Sequence, residues 1–190
     1  MINKENFKKL KKEIEQYTEK REDLIKKSRD VISLSKQIIY NVHKGDFKQA
    51  EKCIKDITKI IADLKKIVEK EPSLETGSYK VAIQEYVEAV CYYEFLKNKK
   101  LVTDEDLNAN AEHYLSGVCD LTGELVRYAY NIGIKGDVKQ AEEIRQFIEE
   151  LYNELMLFAF RSGELRKKFD QIKYNLKNIN QLVFDLKVKK

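Results

Sequence analysis

Very little in this chain can stop a helix. Its 190 residues include one proline, Pro72, and seven glycines. Proline removes a helical hydrogen bond and glycine carries the largest backbone entropy cost, so long stretches free of both favour helices of many turns. Charged residues make up 36% of the chain, and Lys, Glu, Leu and Ile dominate. That usage suits long amphipathic helices, whereas sheets need more turn-forming residues.

The apolar pattern divides the chain. Phe7, Leu10, Ile14, Tyr17, Leu24, Val31, Ile38 and Val42 recur at about 3.5 residues, which predicts one helix over 3–43. A second helix carries Phe47 to Val68 and stops near Pro72. "ETGS" at 75–78 reads as a turn into a third helix over 78–98. Thr103 can cap a short fourth helix, "DEDL". A fifth is expected over 112–134, a sixth that starts at Asp137 and ends before "RSG", and a seventh from Ser162 nearly to the C-terminus. No strand pattern competes. The expectation is an all-α, seven-helix bundle of long antiparallel helices in a single domain, 1–190. The broad apolar faces of the first and last helices predict oligomerisation.

"KGDFKQAE" at 44–51 recurs as "KGDVKQAE" at 135–142. Gly45 and Gly136 can take the left-handed position that ends a helix. Asp46 and Asp137 can cap the next one, with Gln49 and Gln140 placed to complete a capping box. The repeat reads as reused helix–turn–helix punctuation rather than internal duplication.

The net charge is only +4, so any polyanion-binding surface must come from local clustering of lysines. Three cysteines, Cys53, Cys91 and Cys119, form no C-x-x-C pair, which favours core packing in a reducing, cytoplasmic setting. The N-terminus has no apolar signal core, and "LMLFAF" at 155–160 is too short to span a membrane. No glycine loop of nucleotide-binding type occurs. His43 is read as complementing a helix C-terminus and His113 as a first-turn surface residue.

Two acid pairs stand apart. Glu85 and Glu88 lie in "IQEYVEAVCYYEF" among apolar neighbours, and residues three apart share a helix face. In "YLSGVCDLTGELVRYAYN", Asp120, Glu124, Arg127 and Asn131 form a polar stripe bordered by Gly117 and Gly123. Glycines there would let a neighbouring helix or a phosphodiester backbone approach closely. If the two faces meet, four carboxylates converge and need protons or a cation. Oxygen-only ligands suit Mg²⁺ or Mn²⁺, whereas a di-iron bundle wants E-x-x-H pairs that are absent here. Acid pairs at this spacing are also common on solvated helix faces, so spacing alone leaves both readings open.

"GSYKVAIQEYVEAV", "YLSGVCDLTGELVRYAYN", "KGD", "LIKKSRDVISLSKQIIYNVH" and "LRKKFDQIKYNLKNINQLVFDL" together resemble the translin family over roughly residues 20–187. Translin itself binds single-stranded RNA and DNA, whereas translin-associated factor X carries the acidic residues of a Mg²⁺-dependent endoribonuclease. Glu85, Glu88, Asp120 and Glu124 match the factor X acids, while the last helix looks closer to translin. That mixture resembles single-subunit archaeal members that form closed octameric shells with the acids facing inward. The resemblance implies a homo-octamer that binds and cleaves single-stranded RNA. Glu85, Glu88, Asp120 and Glu124 are its expected metal-holding and catalytic residues, and Mg²⁺ or Mn²⁺ its cofactor. Lys80, Arg29 and Arg127 are candidate phosphate contacts, with Arg127 equally placed to pair with Glu124. Translin has arginine where this chain has Lys80, so the bidentate fork is lost there. The alternative is a non-catalytic shell binding single-stranded RNA or DNA.

Overall fold

The computed structural model describes residues 2–75 and 77–188. Among these residues there are seven α-helices and no strand: α1 (Lys4–His43), α2 (Phe47–Lys70), α3 (Gly77–Asn98), α4 (Asp104–Leu107), α5 (Ala111–Ile134), α6 (Val138–Leu155) and α7 (Glu164–Val188), with a 3₁₀ turn at Pro72–Leu74. None of the described helices is long and apolar enough to cross a membrane.

The two "KGD" turns are near copies. Gly45 and Gly136 have φ of +78° and +83°. Gly45 N donates to Val42 O at 2.9 Å and Asp46 N to Asn41 O at 2.9 Å; Gly136 N donates to Gly133 O at 3.0 Å and Asp137 N to Ile132 O at 3.1 Å. This is the Schellman arrangement that ends a helix with a left-handed glycine. Asp46 and Asp137 then accept from Gln49 N and Gln140 N, each at 3.0 Å. The reciprocal half of the expected capping boxes does not form, because each aspartate N–H is already committed to the preceding helix. The full box occurs at α4 instead, between Thr103 and Asp106.

Helix α3 is the central element. Twelve of its 22 residues are buried, and it packs between α1 and α5; α2 lies on α1, and α6 and α7 complete the far side of α5. One hydrophobic cluster runs from Leu24 through α3 and α5 to Val183. The tightest of the glycine contacts is between α3 and α5 at Gly117, where an added Cβ would lie 2.6 Å from Gln84 O and 2.7 Å from Val87 Cβ. Gly123 serves no such contact, since the nearest atom to its added Cβ is Asn175 Nδ2 at 3.7 Å.

Helix α6 ends at Leu155, short of "RSG". The chain turns there so that Phe160 can pack on Phe169 of α7, with ring centroids 5.2 Å apart. In α1, burial begins only at Leu24. Residues 2–23 are exposed throughout, including Phe7 at 60% and Ile14 at 66%. The arm from Lys4 to Asp23 is about 30 Å long at 1.5 Å per residue.

The glycine contacts give a paired test. Gly117→Ala should destabilise the protein by about 1–3 kcal/mol, because backbone at Gln84 must shift. Gly123→Ala should be neutral or slightly stabilising through helix propensity. Denaturant unfolding of the two variants beside the parent protein checks this, and equal stabilities would refute the close-packing account.

Candidate active site

The Gly117 contact sets the phase of α5 against α3 and so brings their polar residues to one edge of the interface. Glu85 and Glu88 project from α3, Asp120 and Glu124 from α5, and all four are half-buried. Their mutual repulsion is legible in their acidities. Burial, then Asp120, Glu85 and Glu124, push Glu88 up to about 8, with Lys168 opposing. Burial also raises Glu85, against Lys36, with Asp120 and Glu124 adding to the rise. Glu124 goes the other way: burial alone would raise it, but His43 and Arg127 hold it below the usual carboxylate range.

The protein's own cations answer part of this charge. Lys168 of α7 bonds Asp120 directly and reaches Gln84 Oε1 at 3.2 Å. Arg127 grips one oxygen of Glu124 through Nε at 2.8 Å and through its terminal nitrogen at 2.6 Å. His43 Nε2 lies 3.2 Å from that same oxygen and 3.1 Å from the Tyr92 hydroxyl. With a proton on Nε2, the imidazole donates to the carboxylate. Behind Asp120, Asn175 of α7 donates to Thr122 Oγ1 at 2.8 Å, and that hydroxyl donates to Cys119 O at 2.7 Å. This buried polar chain fixes α7, and with it Lys168, against α5.

Glu85 and Glu88 make no hydrogen bond or ion pair among the described residues. The expectation that Glu85, Glu88 and Asp120 reach a single ion is not met by the side chains as they stand. No group of three or more acidic, imidazole or thiol residues among those described is placed to hold a metal. Two of the four carboxylates are engaged elsewhere: Lys168 holds Asp120, and Arg127 with His43 holds Glu124. In chemistry and charge the set still suits a hard divalent cation, since it offers only oxygen donors and carries an excess of half-buried anions.

The other nominated residues fall in different places. Arg127 pairs with Glu124, the second of its two expected roles. Lys80 is half-buried at the start of α3, where its charge acts on His113. Arg29 is exposed on α1, seven residues and about 10 Å before Lys36 along the same face. His113 is not a surface residue. It is 2% exposed, packs edge-on to Tyr79, and lies 3.7 Å from Glu75. His43 does end α1, but it is also turned into the site. The cysteines are buried and free, and burial pushes the thiols of Cys91 and Cys119 up to about 12, which removes them as nucleophiles.

Sequence reasoning missed Lys36, His43, Tyr92 and Lys168. Lys168 stands in the quoted "LRKKFD" segment, but nothing along the chain separates it from Lys167. Only the docking of α7 on α5 does so. His43 meets Glu124 across 81 positions, a pairing that no local period encodes.

Known proteins extend this description. Translin of Gallus gallus is 30% identical over 125 residues, covering 58% of this chain and 55% of that protein. Translin-associated protein X of Mus musculus is 30% identical over 141 residues, covering 56% of this chain and 48% of that protein. The match thus spans about half the length of these relatives. Solved structures match nearly end to end. That of apo-NeC3PO has a TM-score of 0.91 at 27% identity, covering 98% of both chains. That of AfC3PO in complex with duplex RNA has a TM-score of 0.84 at 26% identity, covering 97% of this chain and 98% of the other. The Translin family profile matches residues 19–190, and the chain belongs to that family.

Proposed function

We propose that this protein binds RNA and cleaves it as a divalent-metal-dependent endoribonuclease acting on single-stranded or flexible substrate. The observation that carries the reading is the half-buried meeting of four acids from α3 and α5, with Glu88 pushed up to about 8. A face serving only solubility gains nothing from such repulsion, whereas active sites collect perturbed acids of this kind. The RNA complex of AfC3PO supports RNA as the ligand class, although the strand in that complex is duplex.

In this reading Glu85, Glu88 and Asp120 hold Mg²⁺ or Mn²⁺, with Glu124 as a further ligand or as support. When bound, the cation would lower the pKa of a water and stabilise charge on the leaving oxygen. The protein's own residues do the rest. Glu85 and Glu88 orient the attacking water. Lys168, released from Asp120, neutralises the phosphodiester, and Arg127 anchors an adjacent phosphate. His43 and Tyr92 hold Glu124 in place. Lys80 and Arg29 extend the cationic track to more distant phosphates.

The bond between Lys168 and Asp120 favours one second reading, a non-catalytic nucleic-acid-binding shell in which lysine satisfies the acid permanently. Cleavage of a single-stranded RNA separates the two. Glu88→Ala and Asp120→Ala should each lower the rate at least 100-fold while leaving the helical circular-dichroism spectrum unchanged, and excess EDTA should abolish the activity of the parent protein. Full cleavage by both variants, or in EDTA, would sink the nuclease reading.

The raised pKa of Glu88 gives a second test. An acid whose folded pKa lies above its unfolded value keeps its proton in the native state after the unfolded chain has lost it. Stability therefore falls as pH rises between the two values and is flat above the higher one. For Glu88 the window runs from about 4.5 to about 8. In EDTA, Glu88→Gln should flatten this slope and gain on the order of 2–4 kcal/mol over the parent at pH 8. Thermal melts across pH read it out, and parallel profiles would contradict the assignment. Added Mn²⁺ should restore the parent's high-pH stability by favouring ionised carboxylates.

The exposed apolar residues of the α1 arm, Phe7, Leu10 and Ile14, are proposed to be covered by further copies of this chain in a closed homo-octamer. Light scattering should give a smaller particle for Phe7→Asp/Ile14→Asp, and an unchanged mass would exclude the arm from the assembly contact.

A further inference from the structure

Two cavities bracket the acid cluster. One, of about 360 Å³ between α5 and α7, is bounded by Asp120, Gly123, Lys167 and Lys168. The other, of about 430 Å³ between α1 and α5, is bounded by Lys36, Tyr40, His43, Lys44, Arg127 and Asn131. The second shares walls with the acids, because His43 and Arg127 both contact Glu124.

Its composition is unusual for this chain. No acidic residue occurs between Asp30 and Asp46 on the α1 side, or between Glu124 and Asp137 on the α5 side. Many lysines elsewhere pair with acids on their own helix, as Lys9 does with Glu13 and Lys11 with Glu15. Lys36 and Lys44 have no ion pair among the described residues. Between them stands Tyr40, 60% exposed, with Lys44 Nζ 5.7 Å from its ring centroid. Positions 36, 40 and 44 fall on one face of the helix, so the cavity wall alternates cation, aromatic ring and cation.

That alternation matches the chemistry of a nucleotide. A base offers a flat π face that stacks on an aromatic ring. The phosphates on either side of it are attracted by lysine. Asn131 adds an amide that can both donate to and accept from a base edge. An ordinary solvated helix face does not require the absence of acids on both walls.

We infer that the cavity between α1 and α5 is a nucleotide subsite that seats the base flanking the scissile phosphate. The base stacks on Tyr40, and the phosphates of the same strand lie on Lys36, Lys44 and Arg127. The inference rests on the RNA-binding reading above and gives it a direction: the strand crosses α5 from the Lys168 cavity, over the acids, towards Tyr40.

The test is binding without cleavage. Fluorescence anisotropy with a labelled ten-nucleotide single-stranded RNA in EDTA, titrated across salt concentrations, reads it. Tyr40→Ala should weaken binding roughly ten- to a hundredfold, with the salt slope unchanged, while Tyr40→Phe retains affinity. Lys36→Ala/Lys44→Ala should reduce the salt slope by about 0.7 per lysine. Lys9→Ala/Lys11→Ala, which removes equal charge from the arm, should leave the slope unchanged. Parent-like affinity in Tyr40→Ala, equal loss in Tyr40→Phe, or equal slope changes in the two lysine pairs would overturn the subsite while RNA binding by the parent stands. No binding by the parent at low salt would remove the functional reading and the subsite with it.

Discussion

The site depends on how closely α3 and α5 pack. Gly117 removes the one side chain that would keep Gln84 O and Val87 at a normal distance. Because both helices are rigid, one contact fixes their relative phase along several turns. Glu85 and Glu88 follow within a turn of Gln84, and Asp120 lies three residues after Gly117. The apolar packing of Val87, Val118 and Leu121 therefore provides the energy that holds like charges together.

The third helix in this arrangement supplies the counter-charge. Helix α7 docks on α5 through the buried Asn175–Thr122 bond, and two turns before Asn175 the same helix presents Lys168 to Asp120. Helix α1 contributes from the opposite side through His43 and Lys36. The acids are thus contained between two cationic walls that belong to elements distant in sequence. Burial outweighs these cations at Glu85 and Glu88, whose carboxyls are both raised above the usual range.

Helix identity was legible because nothing in the chain argues against helices. The "KGD" turns were legible down to their left-handed glycines, since only a glycine followed by an aspartate cap explains both copies. The four acids were recognisable as a set from spacing and from resemblance. Partner choice was not. His113 carries no local mark of burial, because its cover comes from Tyr79 and Glu75, more than 30 residues earlier in the chain. His43 looked sufficient as a helix-terminal charge. The missing capping boxes had a similar origin: the sequence offered two uses for one aspartate N–H, and the left-handed glycine had already decided between them.

Helix α1 holds two thermodynamic regimes in one continuous rod. From Leu24 onwards it is part of the core and opens only when the bundle does. Before that point it has little besides its own hydrogen bonds, its Asn3 cap and ion pairs such as Lys9–Glu13, each worth only a few tenths of a kcal/mol. An isolated helix of that length is marginal in water. The arm's order is thus a quantity that its surroundings can set, while the half of α1 carrying Lys36, Tyr40 and His43 stays fixed. Amide exchange along this single helix should therefore change steeply near Leu24, at a boundary that no break in the backbone reveals.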